Sequence, residues 1–128
     1  MSETPLRIDR LDRTQARPAH GDTVFVQPLF ADVGAPVPWP RALAYPPCWA
    51  VLDPGMALEA HHHPSAEVYV FVSGTGVMRV SDIEIPVSGG VAVSIPSHAV
   101  HEVRNDPAAT LPLVWVSVGW RPDTEESS

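Results

Sequence analysis

An all-β domain, a sandwich or a closed barrel, is the fold class this sequence predicts. Three observations carry the prediction. Short segments rich in valine and aromatic residues alternate apolar and polar positions in period two. Turn signals separate them at roughly 8–12-residue spacing. Fifteen prolines in 128 residues leave no room for a long uninterrupted helix.

In chain order the strand candidates are TVFVQPLF (23–30), CWAVLD (48–53), ALEAHHH (57–63), AEVYVFV (66–72), GVMRV (76–80), DIEIPV (82–87), VAVSI (91–95), HAVHEVR (98–104) and PLVWVSVGW (112–120). The breaks between them hold PG, SGTG, SD, SGG, PS and NDP, all of which favour turns. Residues 31–47, ADVGAPVPWPRALAYPP, carry five prolines and cannot form a central strand. The favoured reading is an extended surface connection, ahead of a rim that brings Trp39, Arg41 or Tyr45 to a pocket mouth. Residues 1–20 read as a weakly ordered arm with at most one short helix or strand. Residues 21–121 form the single domain, and 122–128, PDTEESS, an acidic tail.

Composition narrows the function classes. Apolar residues make up 45 % of the chain and charged residues 18 %, a globular balance. Eight basic against fifteen acidic residues give a net charge of −7, which disfavours nucleic-acid and anionic-membrane partners. All eight basic side chains are arginine; without lysine, Schiff-base chemistry on this chain is excluded. No glycine-rich loop precedes a helix, so a nucleotide cofactor is not expected. The single cysteine, Cys48, cannot form an intramolecular disulfide and reads as a buried, inert thiol in a reducing compartment. No stretch reaches the ~20 apolar residues of a membrane span. The N-terminus lacks the apolar run of a secretory signal. The expectation is a soluble, cytoplasmic protein.

The chemistry concentrates in EAHHHPSAEVYV (59–70). Strand alternation points His61 and His63 one way and His62 the other. Beyond the Pro64–Ser65 break, Glu67, Tyr69 and Phe71 share a face. A tight turn between adjacent antiparallel strands would bring Glu67 beside His61 and His63, a facial set for a divalent transition metal. Downstream, SIPSHAVHEVRN (94–105) offers His98 and His101 in opposite parity. Local pattern does not choose between them.

These residues resemble the two motifs of the cupin superfamily. Gly55, His61, His63, Glu67 and Gly74 fall at every spacing of the first motif, and Gly90, Pro96, His101 and Asn105 match the second. One position departs: His98 stands where the second motif has a glycine. The resemblance covers residues 55–105. It implies a jelly-roll-like double-stranded β-helix and one divalent ion held by His61, His63, Glu67 and His101, thereby selecting His101 over His98. The ion's identity stays open among Fe, Mn, Ni, Zn and Cu. The resemblance also implies a homodimer, with strand 23–30 as the pairing segment.

His62 reads as an outward residue. His98 and Tyr69 are candidate catalytic residues near the barrel mouth. Arg41, Arg79 and Arg104 are candidate carboxylate clamps, although arginine more often sits at the surface. Trp115 is a candidate substrate contact, with the inner face of its strand left open. Three neutral imidazoles and one carboxylate leave a bound divalent ion with a net charge of about +1, suited to a small, acidic metabolite. The leading expectation is an iron-type oxygenase. Beside it stand a non-redox isomerase, decarboxylase or lyase with the same site, and a non-catalytic small-molecule or metal-binding barrel.

Overall fold

A computed structural model of the chain describes residues 6–31 and 37–122. Its strands form two antiparallel sheets. The larger runs in the order β1 (Arg17–Ala19), β2 (Val24–Pro28), β3 (Cys48–Leu52), β10 (Leu113–Gly119), β5 (Glu67–Ser73) and β8 (Ala92–Ile95). The smaller runs β4 (Ala57–His61), β9 (His101–Arg104), β6 (Thr75–Val80) and β7 (Ile83–Ser88). From β3 onward every connection crosses between the sheets except the β6–β7 hairpin. Each of the segments expected from period two contains a strand; β1, too short and proline-bearing to show that period, is additional.

Alternation decides what faces the space between the sheets. On β5, Glu67, Tyr69 and Phe71 are buried, while Val70 and Val72 are exposed. On β10, Leu113 and Trp115 are buried, and on β9, His101 and Val103. Fully buried Leu52, Leu58, Phe71, Met78, Ile95 and Trp115 each contribute roughly 1.5–3 kcal/mol of burial free energy against the entropy of ordering the chain. Arg79 has the opposite parity to Met78 and so lies on the outer face. There it sits in register with Glu102, whose carboxylate accepts from its guanidinium at 2.5 and 3.2 Å.

The N-terminal segment lies along the larger sheet. Trp49 Nε1 donates to the Asp9 carboxylate at 2.9 Å, and buried Gln27 exchanges side-chain hydrogen bonds with the backbone at Arg10 and Asp12. Arg13 pairs with Asp53 at 2.9 Å. These contacts lead into β1 and carry Ala19 and His20 to one end of the sandwich. Strand β2, the expected pairing segment of a dimer, is hydrogen-bonded on one edge to β1 and on the other to β3. The open edges of that sheet are β1 and β8. No helix among the described residues is long and apolar enough to cross a membrane. The acidic tail beyond residue 122 lies outside the described residues.

Two motif residues act as architecture. Asn105 is buried, and its side-chain amide donates to the carbonyls of Leu52 and Leu111 at 3.0 and 3.1 Å, tying two crossing connections together. Gly74 turns the chain from β5 to β6 at φ +84°, where the backbone carbonyl of Pro112 fills the position a Cβ would take. Both the left-handed backbone and the close approach oppose any side chain. Gly74→Ala is therefore expected to lower unfolding free energy by about 2 kcal/mol or more. A urea midpoint equal to that of the wild type would contradict this.

Candidate metal centre

The site lies at the end of the sandwich reached by β1. His61 and His101 face each other as a register pair of β4 and β9. A register shift between Leu58 and His61 separates that pair from the regular ladder. His63 lies just past the end of β4. His61 and His63 are half-buried and His62 exposed, the sides that alternation assigns them. The route to Glu67 differs from expectation. Strands β4 and β5 are not neighbours in one sheet; residues 62–66 cross from the smaller sheet to the larger. Glu67 thus meets the histidines across the interior rather than along a hairpin.

All three imidazoles are anchored alike. Nδ1 of His61 lies 2.9 Å from the Glu59 carbonyl, Nδ1 of His63 2.9 Å from the Ser65 carbonyl, and Nδ1 of His101 2.9 Å from the Ala99 carbonyl. A carbonyl only accepts, so Nδ1 carries the hydrogen in each ring. In a neutral ring that leaves Nε2 as a bare lone pair. The ligand atoms of the three rings lie within 4.8 Å of one another, a group that could hold a metal ion. Burial pushes the pKa of His61 down; the Glu59 carbonyl opposes it, and the imidazoles of His101, His20 and His63 add to the lowering. His61 is accordingly neutral near pH 7, the form that ligates.

Glu67 completes an arrangement of acceptors. Its Oε1 lies 3.1 Å from His63 Nε2 and 3.4 Å from His101 Nε2. Glu67 Oε1 and His101 Nε2 are buried without a hydrogen-bond partner. Two lone-pair atoms left facing each other cost about 1–3 kcal/mol each. A proton shared by Glu67 and one ring relieves one contact; a cation held by the three rings, with Glu67 beside His63 and His101, relieves both, so the residues present fit a metal. Burial tends to raise the Glu67 pKa, but the contacts of His101, Tyr45 and His63 outweigh it and the net shift is downward. The carboxylate is therefore charged at neutral pH.

Tyr45 fixes the carboxylate's orientation. Its hydroxyl donates to Glu67 Oε2 at 2.6 Å and lies 2.6 Å from Ser117 Oγ. Burial and then the Glu67 hydrogen bond push its pKa far up, so it remains a donor. The Tyr45 ring packs on Gly119, where an added Cβ would stand 2.5 Å from it. Its loop is held by Ala44 N–H to Gly119 O at 2.9 Å and Arg121 N–H to Ala42 O at 2.7 Å. For Tyr45 the rim reading of the proline-rich segment prevails over the surface-connection reading. For Arg41 it does not, because Arg41 is exposed and outside the cavity lining. Residues 32–36 of that segment lie outside the described residues.

A cavity of about 380 Å³ opens onto His61, His63 and Glu67, with His101 buried behind them. Val24, Val26, Ala50, Leu58 and Trp115 form its apolar wall. Tyr69 lines it too, stacked on Trp115 with ring centroids 5.2 Å apart, and burial raises its pKa well above the usual value. Trp115 and Ser117 both line the cavity, which fixes the inner face of β10. Cys48 is part of the lining, with its Sγ 3.1 Å from the Pro46 carbonyl and its thiol pKa pushed up to about 11 by burial. It is inert at neutral pH.

Other sequence candidates lie elsewhere. Arg79 and Arg104 pair with Glu102 on the outer face, and Arg104 also reaches Glu84. His98 is exposed and outside the lining. Its φ is +66°, the left-handed conformation that explains a glycine in the motif. Its backbone N–H donates to the His63 carbonyl at 2.8 Å, so residue 98 supports the site through its main chain. Among the lining residues that sequence did not single out, Val24, Val26, Ala50 and Leu58 belong to expected strands, but His20 had no periodic context. His20 stands at the cavity mouth on the β1–β2 turn, its ring centroid 4.8 Å from that of His61. A polar, isolated histidine before a GD turn carries no signal of a position 41 residues away in the chain.

Residues 48–119 match the family described as Cupin domain. The chain belongs to the cupin family. Among solved structures, a cupin 2 conserved barrel domain protein of Salinispora arenicola CNS-205 is 22 % identical, with 92 % of this chain and 91 % of that chain covered and a TM-score of 0.72. A protein of Thermus thermophilus is 26 % identical over 90 % of this chain and 99 % of that one, with a TM-score of 0.65. A predicted oxalate decarboxylase of Thermotoga maritima is 19 % identical over 76 % and 79 %, with a TM-score of 0.63. The cupin fold accounts for both sheets and the strand crossings described above.

Two results are expected from cobalt(II) titration of this cupin. His61→Ala, His101→Ala and Glu67→Ala should each weaken binding by about 100-fold or more, whereas His62→Ala and His98→Ala should leave it within about threefold. Equal loss at His62 would overturn the alternation reading. Tyr45→Phe, which frees Glu67 Oε2 while keeping the ring on Gly119, should weaken cobalt by about tenfold; unchanged affinity would remove Tyr45 from the support of the site.

Proposed function

We propose that this cupin binds one divalent transition metal through His61, His63, Glu67 and His101 and acts as an enzyme on a small organic metabolite. The observation that carries this is the set of Nδ1–H anchors, which leaves three unprotonated Nε2 atoms in one group, two of them against the Glu67 carboxylate. Bound there, a divalent ion supplies Lewis-acid polarisation of a chelating oxygen. The chain's residues do the rest. Tyr45 keeps Glu67 oriented, Trp115 and the valines of β2 exclude water, and His20 stands at the mouth with a ring nitrogen able to take or give a proton.

That fourth imidazole favours proton-transfer chemistry, such as isomerisation, decarboxylation or elimination, over the iron-type oxygenation expected from the sequence. Burial lowers the His20 pKa against the pull of Glu67, and the imidazoles of His63 and His101 add to the lowering; the neutral ring is a competent base near pH 7. Solved neighbours include a putative sugar phosphate isomerase of Acidithiobacillus ferrooxidans as well as the predicted oxalate decarboxylase. Likeness at such identity supports the fold, and the choice of chemistry rests on His20.

Protein purified without a tag should carry about one divalent metal ion per chain by elemental analysis. Loaded anaerobically with iron(II) and mixed with candidate acids, it should consume no oxygen above the protein-free rate. Ligand-dependent oxygen uptake would reinstate the oxygenase reading. A chain that neither retains nor takes up metal would sink both enzyme readings and leave a metal-free binding barrel.

A further inference from the structure

The cavity's charge balance restricts what can bind. None of the eight arginines, all within the described residues, contributes to the lining, and the chain has no lysine. Arg79 and Arg104 are spent on Glu102 and Glu84 outside the barrel. The fixed positive charge facing a ligand is therefore the net of about +1 left by a divalent ion, three neutral imidazoles and one carboxylate. The remaining polar groups are few. Tyr45 and Ser117 are engaged with each other and with Glu67, and Cys48 with the Pro46 carbonyl. His20, Ser65 and Tyr69 are the other polar side chains of the lining.

A second negative charge would lie against Val24, Val26, Ala50, Leu58 and Trp115 with no arginine among the described residues to meet it, at a cost of several kcal/mol where it is buried. We propose that the site selects a small organic monoanion, a single carboxylate head with an uncharged and largely apolar body, and that His20 hydrogen-bonds that head. This rests on the metal reading above. Dicarboxylates and phosphorylated sugars are excluded by the same charge count. The chemistry named for the Thermotoga and Acidithiobacillus neighbours, oxalate and a sugar phosphate, therefore does not extend to this chain. The volume of about 380 Å³ is at the small end of the roughly 300–1,000 Å³ typical of ligand sites.

The test is the visible absorption of the full chain loaded with cobalt(II). Butanoate and pentanoate are titrated against succinate and glutarate, which add a second carboxylate at the far end, and against glycerol 3-phosphate. The monocarboxylates should perturb the spectrum with Kd values at least about tenfold lower than the dianions. Equal or tighter binding of any dianion overturns the proposal, as does a cobalt spectrum that no monocarboxylate changes; in both cases the metal reading survives. Failure to bind cobalt overturns the metal reading and this proposal with it. His20→Ala should keep cobalt affinity and weaken pentanoate by about tenfold, with His20→Gln recovering part of the loss. Unchanged pentanoate affinity in His20→Ala removes His20 from the assignment.

Discussion

Lone pairs converge in this protein where hydrogen-bond donors are usually found. Three imidazoles are each held by an Nδ1–H to a backbone carbonyl two residues away in sequence, so each presents its bare nitrogen inward. The carboxylate of Glu67, pinned from behind by Tyr45, presents an oxygen to the same space. Acceptors pressed together and partly withdrawn from solvent repel one another unless something positive sits among them. Much of the surrounding structure serves to hold them there. The β4–β9 register places His61 opposite His101, the crossing at 62–66 lets His63 and Glu67 approach from different sheets, and the Tyr45 loop is hooked over Gly119 and Arg121.

Because those four side chains come from both sheets, the site also bridges the sandwich. His61 and His101 belong to the smaller sheet and Glu67 to the larger, with His63 on the segment that joins them. A bound ion would link layers otherwise held by nondirectional apolar contacts among residues such as Leu52, Leu58, Phe71 and Met78. Binding that favours the folded state alone adds to its stability by mass action. The centre is in this sense part of the packing as well as part of the chemistry.

Much of this was legible in the sequence, for definite reasons. Period-two alternation is clear in strands such as β5 and β9, and runs of β-branched and aromatic residues marked β3 and β10, where burial does not alternate, so β2 to β10 could be read and β1 could not. Alternation also separated His62 from its neighbours, although His63 lies past the strand end and its partner strand is in the other sheet. The second motif selected His101, which the structure groups with His61 and His63, where parity had left it level with His98. What resisted reading was tertiary. Tyr45 looked like one aromatic among prolines, because nothing local marks a hydroxyl that will meet Glu67 22 positions later. Arg79 looked like a clamp until its strand's parity turned it outward onto Glu102. His20 was invisible because its role depends on a short edge strand folding back over the mouth.

The position of His20 has a wider meaning. The four acceptors lie within the stretch matched to the family, residues 48–119, whereas Ala19, His20, Val24, Val26 and Tyr45 all precede it. The candidate ligands thus all come from the later part of the chain, whereas the cavity beside them is lined from both parts, with Ala50, Leu58, Tyr69 and Trp115 joining the leading residues. Substitutions in the leading hairpin can reshape the entrance without disturbing a single inward-facing nitrogen.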